Sequence, residues 1–138
     1  MLTSDHGVCE TQRTHYVKDH PEVASRLQLP PVGDSRCGFL FAKRGEKENL
    51  KSAFERRLDG FKLVESSDLI DGGAFGRTID SMSLKSVVGD FAALSKGPNA
   101  LSYPYFEDDR NREQHGGHGG MTAEEVVVPL LSMRLSKA

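Results

Sequence analysis

The sequence predicts an α/β fold, because short apolar runs typical of strands alternate with amphipathic stretches typical of helices. The clearest strand is the apolar run 37–42. The clearest helix is 46–58, where Leu50, Phe54 and Leu58 recur at helical spacing between charged neighbours. With 37% hydrophobic residues, the composition is that of a globular protein rather than a disordered one.

Two further elements follow the predicted helix. Residues 61–65 have strand composition, and Ser66 or Ser67 can cap a short helical turn behind them. Apolar runs at 87–94 and 100–103 flank a Gly-Pro-Asn turn, which predicts a β-hairpin.

The C-terminal quarter combines a biased loop with a last apolar run. Residues 107–120 are first charged and then rich in Gly and His, which predicts an exposed, mobile loop. Residues 126–133 are predicted to form a strand. Pro129 lacks an N–H to donate, so it should lie at an edge or a bulge of that strand.

Charge and composition exclude several classes of partner. The net charge is −2, and no basic run interleaved with aromatic residues could follow a phosphate backbone, so nucleic acid is not expected. No apolar stretch has the length of a membrane span, and the first residues lack the features of a signal peptide. We therefore expect a soluble, cytoplasmic protein without membrane contact. Cys9 and Cys37 are expected to be reduced structural thiols.

The most informative motif is Asp5-His6-Gly7 near the start of the chain. An adjacent carboxylate and imidazole can both reach a divalent cation, and the glycine allows the backbone to turn sharply behind them. No strand is predicted before Asp5, so the rest of such a site is expected upstream of Met1, as in the last part of a larger enzyme. The alternative is a surface turn in which Asp5 caps the following segment.

A second candidate ligand, His118, lies near the other end of the chain, four residues before a Thr122–Glu125 pair with capping-box spacing. The alternative interpretation is a flexible Gly-rich loop in which His115 and His118 are solvated, or bind nickel or copper adventitiously. The pattern leaves both open.

Two other groups of polar residues do not indicate a site. His15, Asp19 and His20 form a loose cluster that is more typical of a solvated turn leading into a helix. Thr3 and Ser4 have no histidine at a spacing that indicates an activating base, so neither is predicted to be a nucleophile.

Taken together and in order, four blocks resemble the C-terminal portion of the type I phosphodiesterase/nucleotide pyrophosphatase family, which belongs to the alkaline phosphatase superfamily. The blocks are residues 3–7, 30–36, 88–97 and 118–130. The ending is also similar to that of PglZ-type domains in the same superfamily. The resemblance implies a single partial domain over residues 1–138. Its fold would be the C-terminal part of an alkaline-phosphatase-like α/β/α sandwich with a small α+β insertion.

The resemblance also implies a set of metal ligands. Members of the superfamily use two divalent ions, usually zinc, to hydrolyse phosphate esters. Asp5 and His6 match the ligands of one ion, and His118 matches a late ligand of the other, with His115 as the alternative. The nucleophile, the early ligand and the middle motif have no counterpart in these residues, which implies that the chain is inactive alone.

Three functional hypotheses follow from the sequence. The first is the C-terminal part of a metal-dependent phosphodiesterase or phosphohydrolase, whose partner is the missing N-terminal half of the domain or a second copy of the chain. The second is a free-standing, non-catalytic metal- or partner-binding module. The third is metal handling by the Gly/His-rich loop without phosphate chemistry.

Overall fold

The computed structural model describes residues 1–76, 81–106 and 115–134. Its strands are β1 (Leu2–Thr3), β2 (Cys9–Glu10), β3 (Arg13–Tyr16), β4 (Val32–Asp34), β5 (Cys37–Leu40), β6 (Phe61–Glu65), β7 (Phe91–Ser95), β8 (Asn99–Ser102), β9 (Gly116–Gly117) and β10 (Leu130–Leu131). Its α-helices are α1 (Pro21–Ala24), α2 (Lys47–Arg57), α3 (Ser66–Asp71), α4 (Ser81–Val88) and α5 (Ala123–Val126), and a 3-10 turn spans Val17–Asp19.

The largest sheet has four strands in the order β4-β5-β7-β6, and each neighbouring pair is antiparallel. Three two-stranded pairs surround it: β1 with β10 and β2 with β9 run antiparallel, whereas β3 with β8 runs parallel. The described residues thus combine helices and strands as predicted, with most strand pairs antiparallel.

The core lies where α1 and α2 cover the four-stranded sheet. Leu50, Phe54 and Leu58 are all buried, which confirms the apolar face predicted for the central helix. Phe54 packs edge-on against Phe61 of β6, with ring centroids 6.2 Å apart. The rest of the core cluster consists of apolar side chains from both layers: Val17, Val23, Leu27, Leu40, Ala42, Ala53, Phe91, Ala93 and Leu101.

The strands predicted at 37–42 and 61–65 and the helix at 46–58 are confirmed, with slightly different ends. The predicted serine cap is wrong. Helix α3 begins at Ser66 itself, with Glu65 in the N-cap position. The buried hydroxyl of Ser66 instead donates to the carbonyl of Val88, 2.9 Å away, which ties α3 to the end of α4.

The predicted hairpin over 87–103 is also wrong. Val87 and Val88 form the end of helix α4, and Gly89, with φ of 62°, then takes the left-handed conformation that commonly ends a helix. Strand β7 starts only after this turn and pairs with β5 and β6, while β8 leaves to pair with β3. The reason is a buried arginine, described below, that binds the backbone of the turn between β7 and β8.

The strand predicted at 126–133 shrinks to Leu130–Leu131. The amides of Val126 and Val127 donate to the carbonyls of Thr122 and Ala123, because Val126 is the last residue of helix α5 and Val127 is its C-cap. Pro129 lies directly before the short strand, where its missing N–H breaks no ladder bond.

The predicted loop 107–120 is only partly covered, because residues 107–114 lie outside the described residues. In the part that is described, His115, Gly116 and His118 are exposed, but Gly117 and Gly120 are buried. The expectation of an exposed loop is therefore wrong for these two glycines.

Cys9 and Cys37 are both free, as predicted. Burial raises the pKa of each thiol, which keeps the thiolate fraction small at neutral pH. No helix in the described part of the chain has the length and apolar character needed to cross a bilayer.

Candidate metal centre

The Asp-His-Gly motif follows a short strand that the sequence did not indicate. In strand β1, Leu2 pairs with Leu131 and Thr3 pairs with Leu130 of strand β10. The chain therefore reaches Asp5 from an ordered strand pair. The expectation that no strand precedes Asp5 is therefore wrong. The pairing places the motif beside the C-terminal segment.

Asp5 is exposed and its carboxylate is held in place by the backbone. The N–H of His6 donates to Oδ1 of Asp5 at 3.0 Å, and the hydroxyl of Ser4 donates to the carbonyl of His6 at 2.7 Å. The backbone hydrogen bond from His6 is the main cause that lowers the pKa of Asp5 below its usual value. Asp5 is therefore an anion at neutral pH, as a metal ligand must be.

The ring of His6 is oriented by its own backbone. Nδ1 lies 2.8 Å from the carbonyl oxygen of Gly7, and because a carbonyl can only accept, Nδ1 must carry the proton. In the neutral ring, Nε2 then has a free lone pair. A histidine ligand fixed in this way, by a carbonyl on its other nitrogen, is common at metal sites.

The remaining atoms of the pair face each other across a short gap. Nε2 of His6 lies 3.5 Å from Oδ2 of Asp5. Two acceptor atoms at this distance repel unless a proton or a cation lies between them. Ligands about 2.0–2.2 Å from a tetrahedral zinc ion lie about 3.3–3.6 Å apart, so the observed gap fits two zinc ligands.

Gly7 is required by a close contact rather than by the sharp turn that the sequence suggested. Its φ is not positive, but a Cβ built on Gly7 would lie 1.8 Å from the carbonyl oxygen of Glu124. The N–H of Gly7 donates to the carbonyl of Glu125 at 2.9 Å. The glycine thus lets the motif pack directly on the backbone of helix α5.

His118 lies beside this motif although it is far away in the sequence. Its ring stacks on the ring of His6, with centroids 3.9 Å apart and planes inclined by 19°. The structure therefore brings Asp5, His6 and His118 together. His115 takes a different place, where its carbonyl accepts from the N–H of Thr11 at 3.0 Å.

A polar cavity opens next to His118. Its volume is about 400 Å³. Its lining comes from the end of β4 with the turn after it and from the glycine-rich segment: Gly33, Asp34, Ser35, Gly116, Gly117 and His118. Part of a small molecule bound at His118 could occupy this space.

A buried ion pair lies underneath the two ligand segments. Nε of Arg36 donates to Oε1 of Glu125 at 2.6 Å, and a second guanidinium nitrogen donates to Oε2 at 3.0 Å. The side chains are 0% and 2% exposed. The third guanidinium nitrogen of Arg36 donates to the hydroxyl of Ser95 and to the carbonyls of Gly97 and Asn99. These bonds to the backbone explain why the turn after β7 does not close a hairpin.

The described residues contain no group of three or more His, Cys, Asp or Glu side chains arranged to hold an ion. Asp5 and His6 fit two of the ligands that zinc needs, and His118 stands next to them. Of the loose cluster, Asp19 is exposed and the turn leads into α1 as expected, whereas the expectation of a solvated His15 is wrong, because this residue lies in strand β3. Buried His15 bonds Oδ1 of Asn99 at 2.9 Å and packs edge-on against Phe61.

Sequence reasoning missed Arg36 and recognised only part of the role of Glu125. The capping box of Thr122 and Glu125 is confirmed, with the backbone N–H of Thr122 donating to Oε2 of Glu125 at 3.2 Å. A carboxylate in this box was expected to satisfy only its own helix. Arg36 gave no signal, because a single arginine after a turn is usually exposed.

The ion pair makes stability sensitive to acid. Burial raises the pKa of Glu125, but hydrogen bonds from Arg36, Thr122 and Gly120 outweigh it and lower the pKa to about 2, from 4.5 in a free glutamate. This contribution to stability is present in full above about pH 4.5 and is lost as the pH falls toward about 2. Denaturant unfolding of the chain across this range should show the loss, and Glu125→Gln should remove most of it. An identical decline in the variant would contradict the prediction.

No known protein family matches the sequence, and no curated protein is similar enough in sequence to indicate a relative. The fold is similar to two solved structures of ectonucleotide pyrophosphatase/phosphodiesterase 5. The human structure has a TM-score of 0.63 at 14% identity, with 89% of this chain and 30% of that chain covered. The murine structure has a TM-score of 0.65 at 14% identity, with 91% and 31% covered. The chain therefore shares its fold with about 30% of a nucleotide pyrophosphatase/phosphodiesterase.

Proposed function

We propose that this chain is the C-terminal part of a metal-dependent phosphodiesterase or phosphohydrolase and supplies the late ligands of a two-metal site. One observation carries the proposal. The rings of His6 and His118 are stacked 3.9 Å apart, although 112 positions separate them in the sequence. Each ring belongs to a segment that carries a candidate ligand, so their contact over this sequence distance supports a single site.

In this proposal each residue has a separate task. Asp5 and His6 hold one divalent ion, zinc being the expected one, and His118 contributes to a second. Such ions polarise the phosphoryl group and stabilise the entering and leaving oxygens of a phosphate ester. The other ligands and the nucleophile come from outside these 138 residues.

The fold similarity supports the architecture that goes with this site. An α/β/α sandwich completed by further strands is part of the proposal, and the antiparallel four-stranded sheet is our candidate for its small α+β insertion. The free state of Cys9 and Cys37 supports a cytoplasmic location, where thiols stay reduced. The substrate would be a small phosphate ester, held in part by the cavity beside His118.

A second candidate function is a non-catalytic binding module. The observation in its favour is an apolar surface around strands β1 and β10, where Leu2, Val127, Leu130 and Leu131 are all more than half exposed. Surfaces of this kind mark contacts with another chain or domain. Mass measurement in solution separates the options, because a monomer that remains soluble argues against a required partner copy.

Hydrolysis of a nitrophenyl phosphodiester tests the first function. We expect the 138-residue chain to show no zinc-dependent activity, because it lacks a nucleophile for the family reaction. A longer protein, with these residues joined to the rest of such a domain, should be active and should lose at least about 100-fold with Asp5→Ala. Robust activity of the short chain alone would refute the proposal, as would a longer enzyme that tolerates Asp5→Ala.

A further inference from the structure

We propose that Glu125 is a positioning residue that locks the two ligand segments together, with Arg36 as its anchor in the sheet. The inference deepens the proposed function and rests on it for the identity of the ligands. Among the described residues, no hydrogen bond or ion pair joins Glu125 to His6 or His118. Its backbone and side chain instead hold the residues that follow each of them.

The backbone of Glu125 holds the first segment. Its carbonyl accepts from the N–H of Gly7, the residue directly after His6, at 2.9 Å. Because Gly7 also packs within contact of the Glu124 carbonyl, the segment has no room to move toward helix α5. The position of the His6 ring is therefore set by the first turn of that helix.

The side chain of Glu125 holds the second segment. Oε1 accepts from the N–H of Gly120, two residues after His118, at 2.9 Å. A Cβ on Gly120 would lie 2.6 Å from Oε2 of Glu125, and one on Gly117 would lie 2.9 Å from Cδ of Arg36. The glycines on both sides of His118 thus let the backbone lie directly on the ion pair, which explains why this part of the loop is glycine-rich.

Arg36 fixes the orientation of the carboxylate. It binds Glu125 through two nitrogens, and its third bonds Ser95 and the turn that follows β7. A planar fork that binds both carboxylate oxygens fixes direction as well as distance. A glutamate that only caps a helix needs hydrogen bonds within its own helix. The additional bonds from Arg36 therefore indicate that Glu125 has a second role, in positioning the ligand segments.

Arg36→Lys tests this task because it keeps the charge and removes the fork. The measurement is the nuclear Overhauser contact between the imidazole protons of His6 and His118 in the metal-free, folded chain. We expect the contact to disappear while the circular dichroism spectrum remains that of a folded protein. Leu50→Ala is the matched control, since it destabilises the core on the helical layer and should leave the ring contact intact.

Zinc affinity provides the second readout. We expect Arg36→Lys to weaken zinc binding about 10–100-fold, as is typical when residues that orient ligands are changed, and Leu50→Ala to leave it within about threefold. Persistence of the ring contact in Arg36→Lys overturns the inference. Failure of the proposed function shows separately, as a longer enzyme that tolerates Asp5→Ala, while the ring contact alone decides the positioning role.

A milder pair of variants covers the case in which Arg36→Lys does not fold. Thr122→Val removes one donor to Oε2 of Glu125 and leaves the fork in place, so the ring contact should weaken without vanishing. Ser95→Ala removes a partner of Arg36 that is not in either ligand segment, and should behave in the same way. A ring contact of wild-type strength in both variants would overturn the inference.

Discussion

Replacing Glu125 with alanine should lower the free energy of unfolding by about 3–5 kcal/mol, which is the usual cost of leaving one partner of a buried ion pair without the other. Arg36 would then be a fully buried cation with only neutral acceptors. The N–H groups of Gly120 and Thr122 would lose their acceptor as well. Domains of this size have about 5–15 kcal/mol of stability in total, so denaturant unfolding should show the loss clearly.

Glu65→Ala is the control for this prediction. Glu65 forms an ion pair with Lys47 at 2.8 Å, but the two side chains are 30% and 39% exposed. Exposed pairs contribute about 0–1 kcal/mol, so the expected loss is several times smaller. If both variants lose the same free energy of unfolding, the Arg36–Glu125 pair contributes no more to stability than an exposed ion pair.

Gly7→Ala should have the second large effect, because the new Cβ would lie 1.8 Å from the Glu124 carbonyl oxygen. Neither backbone can accommodate this contact, so the motif must move away and the hydrogen bond from Gly7 to Glu125 must break. We expect destabilisation of about 1–3 kcal/mol from overpacking. Zinc affinity should fall about 10–100-fold, since Asp5 and His6 would move with the backbone.

Gly116→Ala provides the comparison from the other ligand segment. Gly116 has an ordinary φ, and the nearest atom to its added Cβ would be a methyl carbon of Val8 at 3.1 Å. A side chain of this kind can adjust by a few tenths of an ångström, so stability and zinc affinity should change little. Comparable losses in both glycine variants would contradict the close-contact explanation for Gly7.

The sequence was sufficient where local patterns decide the structure. The apolar spacing of Leu50, Phe54 and Leu58 identified helix α2, and the Thr122–Glu125 spacing identified the start of α5. In both cases the signal lies in residues within one or two turns of each other, although the helices also pack on distant residues such as Phe61 and Arg36. The periodicity of a single segment contains this information.

Prediction failed where distant residues decide the structure. The turn after β7 has the composition of a hairpin, but Arg36, about sixty positions earlier, binds its carbonyls and directs β8 to β3. Gly7 looked like a turn residue, and only the approach of Glu124 shows why a side chain cannot stand there. The candidate ligands were named from the motifs, whereas their meeting depends on a buried ion pair that no local pattern reveals.

Zinc titration by calorimetry, on the wild-type chain and on single alanine variants, tests the central claim most directly. We expect weak binding of zinc through Asp5 and His6. Asp5→Ala should abolish this binding, and His20→Ala, which changes a histidine remote from the motif in sequence, should not alter it. The double variant His115→Ala/His118→Ala should retain binding at the Asp5–His6 pair. Loss of all affinity in the double variant, with wild-type affinity in Asp5→Ala, would contradict the account and assign metal binding to the Gly/His-rich loop.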